Sequence, residues 1–308
     1  MLSSATLTPL HSPRWRDYTL LDSGEGLKLE RFGSYVTVRP EAQAIWSRSL
    51  PAAEWSKADA VFKASGEESG GHWDVRRKMA DQWEMTYPLQ MDPAAEAAAV
   101  TLRFSAMTTP GRHLGVFPEA AAAWDFMAQA IRSRPAGARV LNLFGYTGIA
   151  SLAAAAAGAH VTHVDASKKA VAWAKQNQSL SGLDDKPIRW IVDDALKFAL
   201  REVRRGATYD GIVLEPPKFG RGPKGEVWEV YRSLPQLMQA CRQLLSPQPL
   251  FVMLTLYAVR ASAIHLQQML AELTADRGGV IDGGELVTVE QSAGRLLSQA
   301  VFARWRSK

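Results

Sequence analysis

The stretch Arg139-Val140-Leu141-Asn142-Leu143-Phe144-Gly145-Tyr146-Thr147-Gly148-Ile149 decides the fold. Its first half is an apolar run of strand length closed by glycines, and the Ala-rich segment Ile149 to Ala157 that follows has the composition of a helix. Strand, glycine turn and helix form the opening unit of a doubly wound α/β sheet, whose ligands sit in the crevice beyond the carboxyl ends of the strands. Glycine at the turn lets a ligand approach the backbone closely. The spacing is GxxG, Gly145 to Gly148, and not GxGxxG, which disfavours a dinucleotide pyrophosphate on the helix N-terminus.

Working outward, the same unit recurs toward the C-terminus, which predicts a mostly parallel sheet with helices on both faces. His160 to Asp165 is the second strand, with Ser167 as N-cap of a helix to about Leu180. Ile188 to Val192, Tyr209 to Glu215 and Leu250 to Leu256 are the third, fourth and fifth. A helix over Trp228 to Leu245 carries Pro235, which predicts a kink or a start within it. Glu285 to Glu290 and Gln299 to Trp305 bring the sheet to seven strands, with one antiparallel member expected in the last pair.

Toward the N-terminus the pattern changes to short strands and turns. Leu20 to Asp22, Lys28 to Phe32 and Tyr35 to Val38 predict a meander around Ser23 to Gly26 and Gly33. His72 to Arg76, Trp83 to Tyr87 and Ala98 to Phe104 are further strands, and Ser65 to Gly71 is a polar loop. The expected division is a small β-rich domain over residues 1–108 and an α/β domain over residues 109–308. Trp15, Trp46, Trp55, Trp73 and Trp83 fall in the former and are expected to fill its core rather than to stack bases.

A chain of 308 residues, 47% hydrophobic and 22% charged, has the balance of a packed globular protein. It contains no apolar run of membrane-spanning length and no secretory leader, so a cytoplasmic location is expected. The lone cysteine, Cys241, excludes an internal disulfide, and with six scattered histidines it offers no metal cluster. Cys241 shares a helical stripe with Leu237 and Leu244 and is expected in the core. The net charge of +5 is uneven: residues 1–108 hold 12 Lys+Arg against 14 Asp+Glu, and residues 109–308 hold 24 against 17. The basic surplus near the sheet is compatible with a polyanionic partner without requiring one.

Three acidic positions at strand ends carry the chemistry. Asp165, followed by Ala166, can accept hydrogen bonds from both hydroxyls of a ribose. Asp193 and Asp194 precede Ala195 after the third strand; Asp194 is assigned to an adenine amino group and Asp193 to capping the next helix. The fourth strand ends in Glu215-Pro216-Pro217-Lys218-Phe219-Gly220, where paired prolines hold the chain extended and turn carbonyls and the Phe219 ring toward the crevice. Lys218, Arg221, Lys224 and Arg232 add a cationic loop beside it, and Tyr257 follows the fifth strand.

Taken together, Asn142 to Gly148 (Asn142, Phe144, Gly145, Tyr146, Thr147, Gly148), Asp165, Asp194 and Glu215 to Phe219 resemble class I S-adenosylmethionine-dependent methyltransferases, particularly those similar to bacterial large-subunit ribosomal RNA methyltransferases. The resemblance covers about Arg112 to Trp305. It implies S-adenosyl-L-methionine as cofactor, no metal, and RNA as acceptor, with protein or small-molecule methylation as the alternative and a non-catalytic cofactor-binding module as a third reading. It also implies that His113 to Glu119 lies over the cofactor with Phe117 beside it. Two departures matter. Glu215 stands where relatives carry Asp, and Thr255-Leu256-Tyr257 stands where pyrimidine-C5 enzymes carry a cysteine nucleophile. The expected reaction is transfer to nitrogen or oxygen, with Glu215 to Phe219 orienting the acceptor and Lys218, Arg221, Lys224 and Tyr257 contacting the substrate.

Overall fold

The computed structural model describes residues 7–65, 70–94, 100–134 and 137–308. Its N-terminal part comprises β1 (Leu7–Leu10), β2 (Tyr18–Gly24), β3 (Leu27–Phe32), β4 (Tyr35–Pro40), the one-turn α1 (Ala52–Trp55), β5 (Ala60–Ala64), β6 (Gly71–Val75), β7 (Trp83–Leu89) and β8 (Val100–Ala106). β2 to β6 form a five-stranded sheet in sequence order, antiparallel except at β4–β5, and β7 pairs with β8. Ala98 of the predicted strand and most of the predicted 65–71 loop lie outside the described residues. The tryptophans serve packing: Trp55 is buried with Leu29 and Val38, and Trp15 lies 4.9 Å from Tyr87 and 6.0 Å from Trp124 between ring centroids.

After α2 (Ala121–Arg132) the chain alternates: β9 (Arg139–Leu143), α3 (Ile149–Ala156), β10 (His160–Asp165), α4 (Lys168–Leu180), β11 (Ile188–Val192), α5 (Ala195–Arg204), β12 (Gly211–Leu214). A short hairpin, β13 (Phe219–Arg221) and β14 (Val227–Glu229), precedes α6 (Val230–Leu244), β15 (Phe251–Leu256), α7 (Ala263–Leu273), β16 (Val280–Val289) and β17 (Leu296–Arg306). The large sheet has the order β1-β16-β17-β15-β12-β9-β10-β11, and β17 runs antiparallel to both neighbours while the other pairs are parallel.

Alternation along the central strands builds two cores. Val140, Val161, Val213 and Met253 join α2, α3, β7 and β8 on one face, whereas Leu141, Leu143, Ile212, Leu214, Val252 and Leu254 join α5, α6 and α7 on the other. Successive side chains of a strand point to opposite faces, so helices on both faces require strands apolar throughout. β12 and β15 are accordingly buried at every position.

Three elements differ from their sequence reading. The sheet has an eighth strand, because β1 pairs in parallel with β16 at the edge, where Pro9 needs no ladder donor. β16 starts earlier than Glu285 because Gly283-Gly284 is strand and not turn; a Cβ on Gly284 would run into the Thr8 carbonyl. α6 starts at Val230 and continues through Pro235, so the proline does not mark its start.

Candidate active site

β9, β10 and β11 grow outward in sequence, and the chain then crosses to place β12 on the other side of β9. Strand order reverses there, which opens a crevice at the carboxyl ends of β9 and β12. A cavity of about 400 Å3 occupies it, within the range of small-molecule sites. Of the residues expected from sequence, Phe117, Asn142, Phe144, Gly145, Tyr146, Thr147, Asp165, Ala166, Asp194, Ala195, Glu215, Pro217, Arg221 and Tyr257 line it. Gly148, Pro216, Lys218, Phe219 and Lys224 do not.

The glycine turn is tighter than its glycines alone suggest. Phe144 and Tyr146 have φ of 59° and 49°, left-handed values that cost a non-glycine residue roughly 1 kcal/mol or more each. Three backbone contacts hold them: Gly145 N–H to Val164 O at 3.1 Å, Gly148 N–H to Gly145 O at 2.9 Å, and Tyr146 N–H to Asp165 Oδ2 at 2.9 Å. Asp165 Oδ1 accepts Ser167 N–H at 2.8 Å. Burial raises the Asp165 carboxyl above its usual value, opposed by those two amides. Each oxygen keeps a second lone pair for a ribose hydroxyl.

Over the turn lies the segment before α2. Thr147 Oγ1 donates to Gly115 O at 2.6 Å, and Gly115, at φ 92°, leaves no room for a side chain against Trp173. Phe117 is thereby set 5.6 Å from Tyr146 and 6.0 Å from Tyr257, ring to ring.

At the end of β11 the capping role expected of Asp193 falls to Asp194. Asp194 is the N-cap of α5, its Oδ1 accepting Lys197 N–H at 2.9 Å, while Asp193 Oδ2 pairs with Arg201 at 2.6 Å. Asp194 also lines the cavity, so capping and a cavity contact fall on one residue.

Beyond β12 the Phe219 ring is 56% exposed and points away from the cavity, because residues 219–229 are a hairpin and not an extended strap. Trp228, from the second strand of that hairpin, takes the expected place: it is buried, 4.8 Å from Phe144, and its Nε1 donates to Pro217 O at 2.7 Å. His113, from the segment expected over the cofactor, Ser167, expected only as an N-cap, and Trp124, which had not stood out in the sequence, also line the cavity. Phe117, His113, Val116 and Tyr257 form a partition with a second, smaller cavity of about 90 Å3, which Lys28, Arg39, Arg112, Glu119 and Gln299 help line.

Electrostatically this region is low in free charge. Arg39 is committed to Glu30 through bonds of 2.7 and 2.8 Å, and Lys28 to Gln299 at 2.8 Å and Glu41 at 3.3 Å. Burial pushes His113 down to about 3, helped by Arg39 and Arg112, so its ring is neutral. Burial, and then the Glu119 carboxyl, pushes Glu215 up to about 8. Burial likewise raises the Tyr257 phenol, with Glu215 the next contributor. Cys241 is fully buried among Leu237 and Leu244 and pushed up to about 12.

The donor set fits S-adenosylmethionine. Sheet order places Asp194 over β11, Asp165 over β10, the glycine turn over β9 and Glu215 over β12, a line along which adenine, ribose, amino-acid tail and methyl group can follow one another. Asp194 and Asp165 put carboxyl groups at the adenosine end of that line, and Arg221 lines the cavity beside Glu215 at the other.

Comparison with known proteins agrees with this geometry. The sequence profile of S-adenosylmethionine-dependent methyltransferases matches residues 70–272. A crystal structure of the SAM-dependent methyltransferase from Agrobacterium tumefaciens is similar at 44% identity and a TM-score of 0.88, covering 100% of this chain and 98% of that one. Ribosomal RNA large subunit methyltransferase K/L of Shewanella baltica is 41% identical over 113 residues, 36% of this chain and 16% of that protein. Ribosomal RNA large subunit methyltransferase I of Aeromonas salmonicida is 35% identical over 174 residues, 56% of this chain and 41% of that protein. The chain thus spans less than half the length of these two curated relatives. A switch-point cavity lined by Asp165, and a profile match and a full-length structural likeness that agree with it, lead to one assignment: the chain belongs to the S-adenosylmethionine-dependent methyltransferase family.

Proposed function

We propose that this protein transfers a methyl group from S-adenosylmethionine to a nitrogen or oxygen atom of RNA, with ribosomal RNA as the substrate class. The observation that carries this reading is the far wall of the cavity. There the Glu215 carboxyl stands at the end of β12, beside a hairpin whose Arg221 lines the cavity and whose Lys224 is exposed. A cationic rim beside an acceptor-facing carboxyl suits a base presented on a phosphate backbone. The names of the two partial relatives, both ribosomal RNA methyltransferases, support the same substrate class.

The cofactor supplies a methyl group already activated as a sulfonium. What remains for the protein is alignment and exclusion of water. Phe117, Tyr257 and Trp228 wall the transfer region with aromatic rings. Burial pushes Glu215 up to about 8, and the positive charge of a bound sulfonium would favour its carboxylate, which can then hydrogen-bond the acceptor and take up the proton that an N–H or O–H acceptor loses. No thiolate takes part in this reading, since the single cysteine is sealed in the core on the buried face of α6.

The test is incubation with methyl-tritiated cofactor and, in separate arms, unmodified total RNA, a protein extract and a small-molecule pool. Label in the RNA arm that ribonuclease releases is the expected result. Label confined to either other arm moves the acceptor to that class, and no label in any arm leaves a cofactor-binding module.

A further inference from the structure

Beneath the glycine turn runs a chain of three buried polar side chains that the transfer step does not itself use. Asn142 Nδ2 donates to Ser151 Oγ at 2.9 Å, and Ser151 Oγ lies 3.0 Å from His163 Nδ1. Asn142 is 4% exposed, and Ser151 and His163 are fully buried. Asn142 and His163 are register partners on β9 and β10, so their side chains leave the same face of the sheet, the face that Ser151 on α3 covers. Gly145 roofs the group. A Cβ there would collide with the His163 ring and approach Asn142 Nδ2 to 3.1 Å.

The chain has a direction in the His163 tautomer that carries its proton on Nε2. Burial pushes His163 down to about 3, so its ring is neutral at physiological pH, with one nitrogen accepting and the other donating. Nε2 is buried without a partner, and the ring sits 4.7 Å from that of Trp190 at 58°. With Nδ1 accepting the Ser151 hydroxyl proton, the Ser151 oxygen is left to accept from Asn142 Nδ2. The free end is then the Asn142 carbonyl. That oxygen has no partner among the described residues and is not among the sealed polar atoms, and Asn142 lines the cavity.

We infer that His163 and Ser151 are positioning residues that hold the Asn142 amide with its carbonyl oxygen toward the cavity, where it accepts a hydrogen bond from the α-ammonium of the cofactor's amino-acid tail. The inference rests on the methyltransferase reading, in which the tail lies over β9. A rotated amide would turn an NH2 group toward the ammonium, so the buried chain converts a two-fold ambiguous side chain into an oriented acceptor. It also gives a reason for a histidine in the middle of a buried strand, where an apolar residue would avoid leaving Nε2 unpaired.

The experiment is calorimetric titration of wild type, Ser151→Ala and Ser151→Thr with three ligands: S-adenosylhomocysteine, its deamino analogue that keeps the carboxylate, and 5′-methylthioadenosine, which has no tail. Wild type and Ser151→Thr should bind S-adenosylhomocysteine roughly tenfold more tightly than the deamino analogue, the scale of one hydrogen bond to a charged group. Ser151→Ala should shrink that ratio to within about twofold while binding methylthioadenosine as wild type does. Equal loss for all three ligands in Ser151→Ala would mean a merely structural role and would overturn the proposal. A ratio near one in wild type would overturn it without any variant, which covers the case in which Ser151→Ala does not fold. Absence of wild-type affinity for both S-adenosylhomocysteine and methylthioadenosine would remove the cofactor reading itself, a separate outcome.

Discussion

The carboxylate of Asp165 accepts the backbone N–H of Tyr146 at 2.9 Å, across the space between the end of β10 and the turn after β9. The same side chain that we propose clasps a ribose therefore also holds a left-handed tyrosine in position. Strain at Phe144 and Tyr146 is tolerated because the surroundings over-determine it. Cofactor affinity and turn geometry are coupled through one carboxylate.

Replacing Asp165 by Ala should consequently weaken S-adenosylhomocysteine binding by about 2 kcal/mol, roughly thirtyfold, from lost hydrogen bonds to a charged group. Calorimetry measures the affinity, and amide exchange at Tyr146 should quicken in the same variant. Affinity within twofold of wild type would dissociate Asp165 from the ribose.

Glu215 sets a pH dependence. Its native carboxyl keeps a proton up to about 8, whereas the unfolded chain releases it near 4.5. The folded state therefore binds more protons across that interval, and stability falls as pH rises through it. Glu215→Gln should abolish that part of the slope in urea titrations run between pH 5 and pH 8.5.

The sulfonium adds a further sign. A positive charge beside Glu215 favours its ionised form, so binding S-adenosylmethionine near pH 7 should release protons, and the uncharged thioether product should release fewer. Titration in two buffers of different ionisation enthalpy reads the difference, and Glu215→Gln should bring both ligands to the same value.

If the hairpin β13–β14 grips phosphates, the double variant Arg221→Ala, Lys224→Ala should flatten the dependence of RNA affinity on salt. Two lost phosphate contacts reduce the slope of log K against log salt by about 1.4 for single-stranded RNA. Affinity for S-adenosylhomocysteine should stay within about twofold if only RNA contacts are lost. An unchanged slope would place the RNA elsewhere.

A stability prediction concerns Arg295, in the turn joining β16 to β17. It bonds Glu290 at 2.7 Å, Ser49 Oγ at 2.7 Å, and the carbonyls of Ser47 and Ser23 at 2.9 and 3.0 Å. Both acidic groups near it, Asp22 and Glu290, have fully buried side chains. Arg295→Ala would leave them short of their cation, which costs roughly 2 kcal/mol for charged hydrogen bonds from a partly exposed guanidinium. Urea unfolding should show that loss.

Much of this was legible beforehand because the strands that matter are buried on both faces and read as apolar runs, and because their ends carry acids at the places where an adenosine ligand needs acceptors. What was not legible depends on contacts from afar. Nothing local marks Leu7 to Leu10 as strand; its pairing is set by glycines at 283 and 284. Asp193 and Asp194 are adjacent acids, and which one caps α5 is decided by Arg201, two turns into the helix, drawing Asp193 aside. Phe219 and Trp228 are register neighbours in an antiparallel hairpin, offset by one position. That offset puts the two rings on opposite faces of the hairpin, and the paired prolines before it carry no sign of which face packs inward. The left-handed Phe144 and Tyr146 left no trace either, since glycine is the residue that announces such backbone.

The long reach of Arg295 has an implication for how the molecule comes into being. Bonds from residue 295 to residues 23, 47 and 49, and the pairing of residues 7–10 with residues 283–286, join the first stretch of the chain to nearly its last. On the ribosome, the early meander must wait with its buried aspartate held by Ser49, Leu50 and Trp55 but without its cation until the closing hairpin emerges. Contacts so distant in sequence slow folding, and a chain released a few dozen residues short would carry a destabilised front end, far from the site of the missing segment.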